Sequence, residues 1–147
     1  MTLHEAWQFF SSPYHLNDIT PDFFHVTITS NVPDNIYAGL MIRYQMKAVF
    51  NISMDWLSEV CHCDTLHYFV YQQRVGPFKF WSHEVRLTET AQGVQLEDIM
   101  FYAIPFAWFG ELVHWLLIKN RLNRIFDTRH DYLQQRFGVW FFYCATL

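Results

Sequence analysis

The chain is poor in cysteine and in charged residues, and each shortage excludes a class of protein. Its 147 residues include three cysteines, an odd number without the spacing of a disulfide framework. Such cysteine usage is typical of a reducing compartment, so we expect a cytoplasmic protein. Charged residues make up 16% of the chain, and the net charge of −4 at pH 7 lacks the basic excess that nucleic-acid binding requires. We therefore expect no nucleic-acid partner.

Long hydrophobic runs and cofactor motifs are missing as well. No uncharged apolar stretch reaches the roughly 18 residues of a membrane span, and the first residues lack the basic and apolar regions of a signal peptide. No G-x-G-x-x-G sequence follows a predicted strand, so no dinucleotide cofactor is expected. Cys61 and Cys63 flank His62, but on a strand the histidine points away from both thiols, and no metal site is predicted.

Aromatic residues, by contrast, are abundant. They make up 20% of the chain, with fifteen phenylalanines, eight tyrosines and six tryptophans. A single domain of this length buries roughly 70% of the surface of its unfolded chain. So much aromatic bulk is typical of the walls of a ligand pocket. The alternative is a rigid aromatic core that encloses no cavity.

Glycines and prolines separate the predicted secondary-structure elements. An amphipathic helix over Leu3 to Phe10 is followed by a second helical turn that ends near Asn17. Alternation of apolar and polar residues then predicts six strands, over residues 25–30, 40–47, 54–62, 67–75, 78–89 and 94–104. A long helix is predicted over residues 110–137, with an exposed face formed by its basic residues Lys119, Arg121, Arg124, Arg129 and Arg136. The pattern predicts an α+β domain built on an antiparallel meander.

The last two predicted strands each place one ionisable side chain on the face that should be buried. His83 alternates with polar residues that suit water, and Asp98 shares its face with apolar neighbours. A two-residue turn at positions 91–92 sets Val85 opposite Asp98 and His83 opposite Met100, so His83 and Asp98 become diagonal neighbours. Such groups are costly inside a protein unless they pair, bind water or meet a ligand.

The neighbouring strand extends this inner face. With one extra residue in the turn near Gly76, its register puts Tyr71 opposite His83 and Gln73 opposite Trp81. His83 could then act as a general acid or base held by the aspartate, or as the hydrogen-bond partner of a polar ligand atom. A buried pair satisfied by tyrosine hydroxyls and water is the third interpretation. Ser82 points away from His83, so no nucleophile completes a catalytic triad.

Several motifs in combination resemble a known family. They are Glu5-Ala6-Trp7, Phe9-Phe10-Ser11-Ser12-Pro13, Leu16 and Ile19-Thr20-Pro21; Phe69-Val70, Gln73, Gly76-Pro77-Phe78, Trp81 and His83; Asp98, Tyr102, Pro105 and Gly110; and Ile125-Phe126 with Arg129. Together they resemble the START/polyketide-cyclase (SRPBCC) superfamily, and within it the small bacterial ligand-binding members. The resemblance covers residues 1–138. Tyr71 stands where the family has an aspartate, and Val85 stands where it has a second histidine.

The resemblance implies a helix-grip fold, in which a curved antiparallel sheet wraps around a long C-terminal helix. It further implies a cavity that binds a small hydrophobic or aromatic ligand, without a cofactor. The expected ligand-binding residues are Tyr71, Gln73, His83 and Asp98 at the polar end, with walls from Trp56, Trp81, Met100, Tyr102 and Phe126. We expect a binder and not an enzyme. The alternative is a cyclase or dehydratase that uses His83 and Asp98 for proton transfer.

The two ends of the chain depart from the family pattern. The usual N-terminal strand is missing, which would leave the strand over residues 94–104 as an open edge. Residues 139–147 form an apolar tail beyond the domain of residues 1–138. We consider three roles for this tail: it shields exposed surface, pairs with the open edge, or drives self-association into a homo-oligomer. A tail that docks on a partner protein would make the chain an interaction module.

Overall fold

Two short helices open the fold in the computed structural model, which describes residues 1–21, 25–47, 53–104, 119–137 and 140–146. Helix α1 spans Leu3–Phe10, and a 3-10 turn follows over Pro13–Leu16. Thr2 and Glu5 form a capping box, since each side chain accepts a hydrogen bond from the other residue's backbone N–H. The helix buries one face, formed by Ala6, Trp7, Phe9 and Phe10. Both helical segments agree with the prediction.

All the described strands belong to a single sheet. Its strands, in spatial as well as chain order, are β1 (Thr27–Ile28), β2 (Met41–Lys47), β3 (Ser53–Asp64), β4 (Tyr68–Val75), β5 (Phe80–Thr90), β6 (Gly93–Ala103) and β7 (Trp140–Thr146). Strands β1 to β6 form an antiparallel meander, and the sheet is curved. The predicted α+β fold, with six antiparallel strands, a C-terminal helix and short N-terminal helices, is confirmed.

The register of β4, β5 and β6 is the one that the sequence predicts. Thr90 lies opposite Gly93, so the hairpin turn contains two residues. Val85 lies opposite Asp98, and on β4 Tyr71 lies opposite His83. Strand β3 differs from an ideal strand, because its register with β4 shifts twice, between residues 57 and 58 and between residues 60 and 62. These irregularities were not predicted.

The C-terminal helix α2 spans Lys119–Phe137, and the first part of the predicted helix, residues 110–118, lies outside the described residues. Phe126, Arg129 and Leu133 follow one another at spacings of three and four residues and are all buried. The predicted exposed face of basic residues is therefore wrong for Arg129, although Arg124 and Arg136 are exposed. Neither described helix has the combination of length and hydrophobicity that a membrane span requires.

The core lies on the inner face of the sheet and divides into two clusters. The larger one joins α1 to the sheet and includes Leu133 of α2. The smaller one consists of Met100, Tyr102 and Phe126, with Phe78, Trp81, Ile104 and Ile125 packed against it. Helix α2 thus contributes to both clusters, and Arg129, which lies between Phe126 and Leu133 along the helix, contacts Asp98 of the sheet.

Strand β7 completes the sheet from the C-terminal end. It runs parallel to β6, with Trp140 opposite Gln95 and Thr146 opposite Phe101. Of the three roles considered for the tail, pairing with this edge is the one that the structure shows. Strand β6 therefore has β5 on one side and β7 on the other, so its second edge is paired.

Candidate functional site

A carboxylate without exposed surface forms the centre of the site. Asp98 of β6 has a relative exposure of 0%. One of its oxygens, Oδ1, lies 2.7 Å from His83 Nε2 on β5, and the other, Oδ2, accepts a hydrogen bond from Arg129 Nη1 on α2. An ionised carboxylate can only accept hydrogen bonds, so His83 donates from Nε2. Strands β5 and β6 and helix α2 are therefore joined at a single side chain.

The surroundings of Asp98 favour its charged form. Burial alone raises the pKa of the Asp98 carboxyl, but the Arg129 guanidinium and the His83 ring together act more strongly in the opposite direction. The pKa of Asp98 consequently lies below its ordinary value. The ionised Asp98 and the permanently charged Arg129 balance each other, so the cluster is neutral when His83 is neutral.

The hydrogen-bonding groups of Arg129 are satisfied less completely than those of Asp98. Its side chain is 8% exposed, and the guanidinium lies 6.0 Å from the centre of the Phe126 ring. Among the buried side-chain nitrogen and oxygen atoms of the described residues, Arg129 Nε is the one without a hydrogen-bond partner. His83 is 15% exposed, which makes it the part of the network that reaches toward solvent.

Aromatic side chains continue the inner face beside this network. Trp81 follows the outward-facing Phe80 on β5, and its ring centre lies 4.7 Å from that of Phe78 and 5.3 Å from that of Trp56. Tyr102, opposite Trp81 on β6, has its ring centre 6.1 Å away. We call Trp56, Phe78, Trp81 and Tyr102 the aromatic group. Met100 and Phe126, with exposures of 1% and 3%, extend it toward α2.

A hydrogen bond fixes the orientation of Trp56 within the aromatic group. The indole Nε1 donates to Ser58 Oγ over 2.9 Å, and the Tyr44 hydroxyl lies 2.8 Å from the same oxygen. Burial, opposed by these hydrogen bonds, raises the pKa of Tyr44. Because the buried Ser58 hydroxyl is hydrogen-bonded to two aromatic side chains, few rotamers are open to Trp56, and this part of the aromatic group is rigid.

The amide of Gln73 is engaged within the protein. Its Nε2 donates to the Phe78 carbonyl over 2.7 Å, and its Oε1 accepts from the Phe78 N–H over 3.4 Å. Gly76 makes this arrangement possible, because a Cβ atom there would lie 2.4 Å from the Gln73 Oε1. Gln73 was predicted to meet the polar end of a ligand. The structure instead places its amide in the turn between β4 and β5.

Tyr71 lies beside the ion network. It faces inward opposite His83, and its ring meets Phe69 edge to face at 5.3 Å. Burial raises the pKa of the Tyr71 hydroxyl, so this side chain stays neutral over the physiological range. Seven of the nine predicted site residues therefore lie in the ion network or in the aromatic group and its extension, Tyr71 lies beside the network, and Gln73 lies in the turn.

Arg129 is the site residue that the sequence analysis assigned to the wrong surface. The sequence does contain a signal, because positions 126, 129 and 133 lie on one side of a helix and both flanking residues are large and apolar. A buried aspartate also requires a cation or several donors nearby. These two observations together would have placed Arg129 inside.

Comparison with known proteins supports the fold and names no function. No protein-family model and no curated protein matches the chain. Among solved structures, TTHA0849 from Thermus thermophilus superposes with a TM-score of 0.63 at 15% identity, covering 92% of this chain and 88% of its own. Protein Ms6760 from Mycobacterium smegmatis gives 0.59 at 14% identity, covering 91% and 82%. CV1439 from Chromobacterium violaceum gives 0.53 at 10% identity, covering 84% and 88%. At such identities the similarity establishes the fold alone.

Proposed function

We propose that this chain is a ligand-binding member of the SRPBCC superfamily that holds a small hydrophobic or aromatic molecule between its sheet and its C-terminal helix. The fold is compatible with the helix-grip architecture of that superfamily. The cysteine usage supports a reducing compartment, and we propose a cytoplasmic location on that ground. The binding proposal itself depends on the composition of the inner face.

One observation carries the proposal: a buried His83–Asp98–Arg129 network lies directly beside the aromatic group. Stability alone does not account for it, since well-packed apolar residues are often as stabilising as a buried ion pair, or more so. Ligand sites, however, combine mostly apolar and aromatic walls with a few fixed polar groups. The network and the aromatic group together have that composition.

Binding of a neutral fluorescent probe tests the proposal, and the chain offers a matched pair of variants. Trp81 belongs to the aromatic group, whereas its neighbour Phe80 is 47% exposed on the opposite face of the same strand. We expect Trp81→Ala to weaken binding of 1-aminoanthracene about 10-fold or more, and Phe80→Ala to leave it unchanged. Native mass spectrometry of protein purified from its own host would identify the natural ligand. Absence of saturable probe binding, or equal effects of the two variants, would contradict the proposal.

The second candidate function is a cyclase or dehydratase reaction with His83 as the proton carrier. The geometry favours it in one respect: Asp98 binds Nε2, which fixes the ring and leaves Nδ1 as the nitrogen that could exchange a proton with a substrate. In an enzyme, His83→Ala should lower turnover of the host-derived ligand about 10²–10⁴-fold. In a binder it should lower affinity only. His67→Ala is the control, because the His67 side chain is 67% exposed.

A further inference from the structure

The ion network contains one more basic group than acidic groups. Asp98 is shared by Arg129, which is always charged, and by His83, which gains a charge on protonation. Tyr71, which faces the network from β4, stays neutral because burial raises its pKa. With His83 protonated, the described residues of the network carry a net charge of +1. A single additional anion would therefore complete a second ion pair.

Arg129 shows where such an anion would be recognised. Asp98 accepts from Nη1, whereas the Nε–H and Nη2 lie together on another edge of the planar guanidinium. That Nε–H is buried and has no hydrogen-bond partner, which is a costly arrangement for a group of this kind. The edge formed by Nε and Nη2 matches the two oxygens of a carboxylate, and such paired hydrogen bonds are among the strongest in proteins.

We propose that the ligand of this protein is an amphipathic monocarboxylic acid whose carboxylate binds the Nε–Nη2 edge of Arg129 while its apolar part packs against the aromatic group. This inference rests on the proposed binding function and specifies its ligand class. Nε is enclosed by protein atoms, so the carboxylate reaches it only after the Arg129 side chain moves.

Charge balance adds a second property to the bound state. The titratable and charged groups that face His83 are Tyr71 from β4, Asp98 from β6 and Arg129 from α2, within the part of the chain that the structure describes. Arg129 alone cannot neutralise both Asp98 and a ligand carboxylate. Protonated His83 supplies the missing positive charge, so binding of the acid favours the protonated form of His83.

Isothermal titration calorimetry with matched ligands tests the ligand class. We would use 2-naphthoic acid and decanoic acid as probes, each against its primary amide, at pH 6.0. At least one acid should bind about 10-fold or more tightly than its amide, because charge-assisted hydrogen bonds are stronger than neutral ones. Titration in two buffers that differ in ionisation enthalpy should show greater proton uptake on binding of the acid than on binding of its amide.

Two variants on α2 provide the structural control. Arg129→Lys keeps the positive charge but lacks the planar edge, so it should abolish the preference for the acid. Arg136→Lys changes an exposed arginine of the same helix and should preserve the preference. Equal binding of acid and amide by the wild-type protein, or tight acid binding without greater proton uptake than the amide shows, would overturn the inference. In either case the proposed binding function would stand if 1-aminoanthracene still bound. If the wild-type protein bound neither the acids nor 1-aminoanthracene, both this inference and the proposed binding function would be overturned.

Discussion

Replacement of Arg129 by methionine should destabilise the protein more than any comparable change at the surface. The substitution removes the permanent cation from a carboxylate that has no exposed surface. Removing one partner of a buried ion pair typically costs about 3–5 kcal/mol, because the remaining charge is left uncompensated. His83 still contacts Asp98 and can gain a proton, so we expect a loss near the lower end, about 3 kcal/mol.

An exposed ion pair in the sheet provides a matched control for this substitution. Arg74 Nε donates to Glu59 Oε2 over 2.6 Å, but these side chains are 44% and 24% exposed. Arg74→Met is the same substitution in an exposed pair and should leave the free energy of unfolding nearly unchanged. Urea unfolding followed by tryptophan fluorescence measures both. For Arg129→Met, a loss of about 3 kcal/mol lowers the urea midpoint by about 1–3 M at an unaltered slope.

A double substitution separates loss of the cation from loss of packing. If the unpaired charge of Asp98 is the cause, then Asp98→Leu combined with Arg129→Met should be more stable than Arg129→Met alone. Equal destabilisation by Arg129→Met and Arg74→Met would refute the reasoning. A double variant less stable than either single variant would do so as well, because it would show that packing and not charge determines the effect.

Three further predictions concern pH, a turn and the last strand. Because the pKa of Asp98 is lowered on folding, its contribution to stability is complete above the ordinary aspartate pKa and is lost as the pH falls through the folded value. Wild type and Asp98→Asn should therefore converge in urea midpoint below about pH 4. Gly76→Ala displaces the Gln73 amide and should cost about 1 kcal/mol in thermal unfolding, but much less in a Gln73→Ala background. Truncation after Phe137 removes β7 and should shift size-exclusion elution toward larger species, whereas unchanged elution would show that β6 needs no covering strand.

The His83–Asp98 pair could be predicted from the sequence, because strand geometry restricts both the face and the register of each side chain. Side chains alternate with a period of two, so polar residues at positions 82, 84 and 86 assign His83 to the inner face. The two-residue turn then fixes the register of β5 against β6 and brings His83 beside Asp98. Both inferences use short-range information, and both were correct.

The parts that escaped prediction depend on contacts between distant segments. Arg129 lies on the apolar side of its helix, between Phe126 and Leu133, but its burial as a cation requires the carboxylate of Asp98, which is 31 residues away in the chain. Pairing between β6 and β7 is likewise non-local and parallel, so no turn sequence announces it. The engagement of Gln73 in its turn was missed for a different reason, since strand parity gives the face of a side chain but not its partner.

The strand that pairs with the second edge of β6 is synthesised well after β6 itself. Strand β7 begins after 36 further residues have followed β6. At the roughly 5–20 residues per second of protein synthesis, a ribosome needs about 2–7 s to add them. Until β7 has been made and has paired, this edge of β6 keeps its backbone hydrogen-bonding groups without strand partners. An unpaired edge of this kind is a site at which another polypeptide or a chaperone can bind before folding is complete.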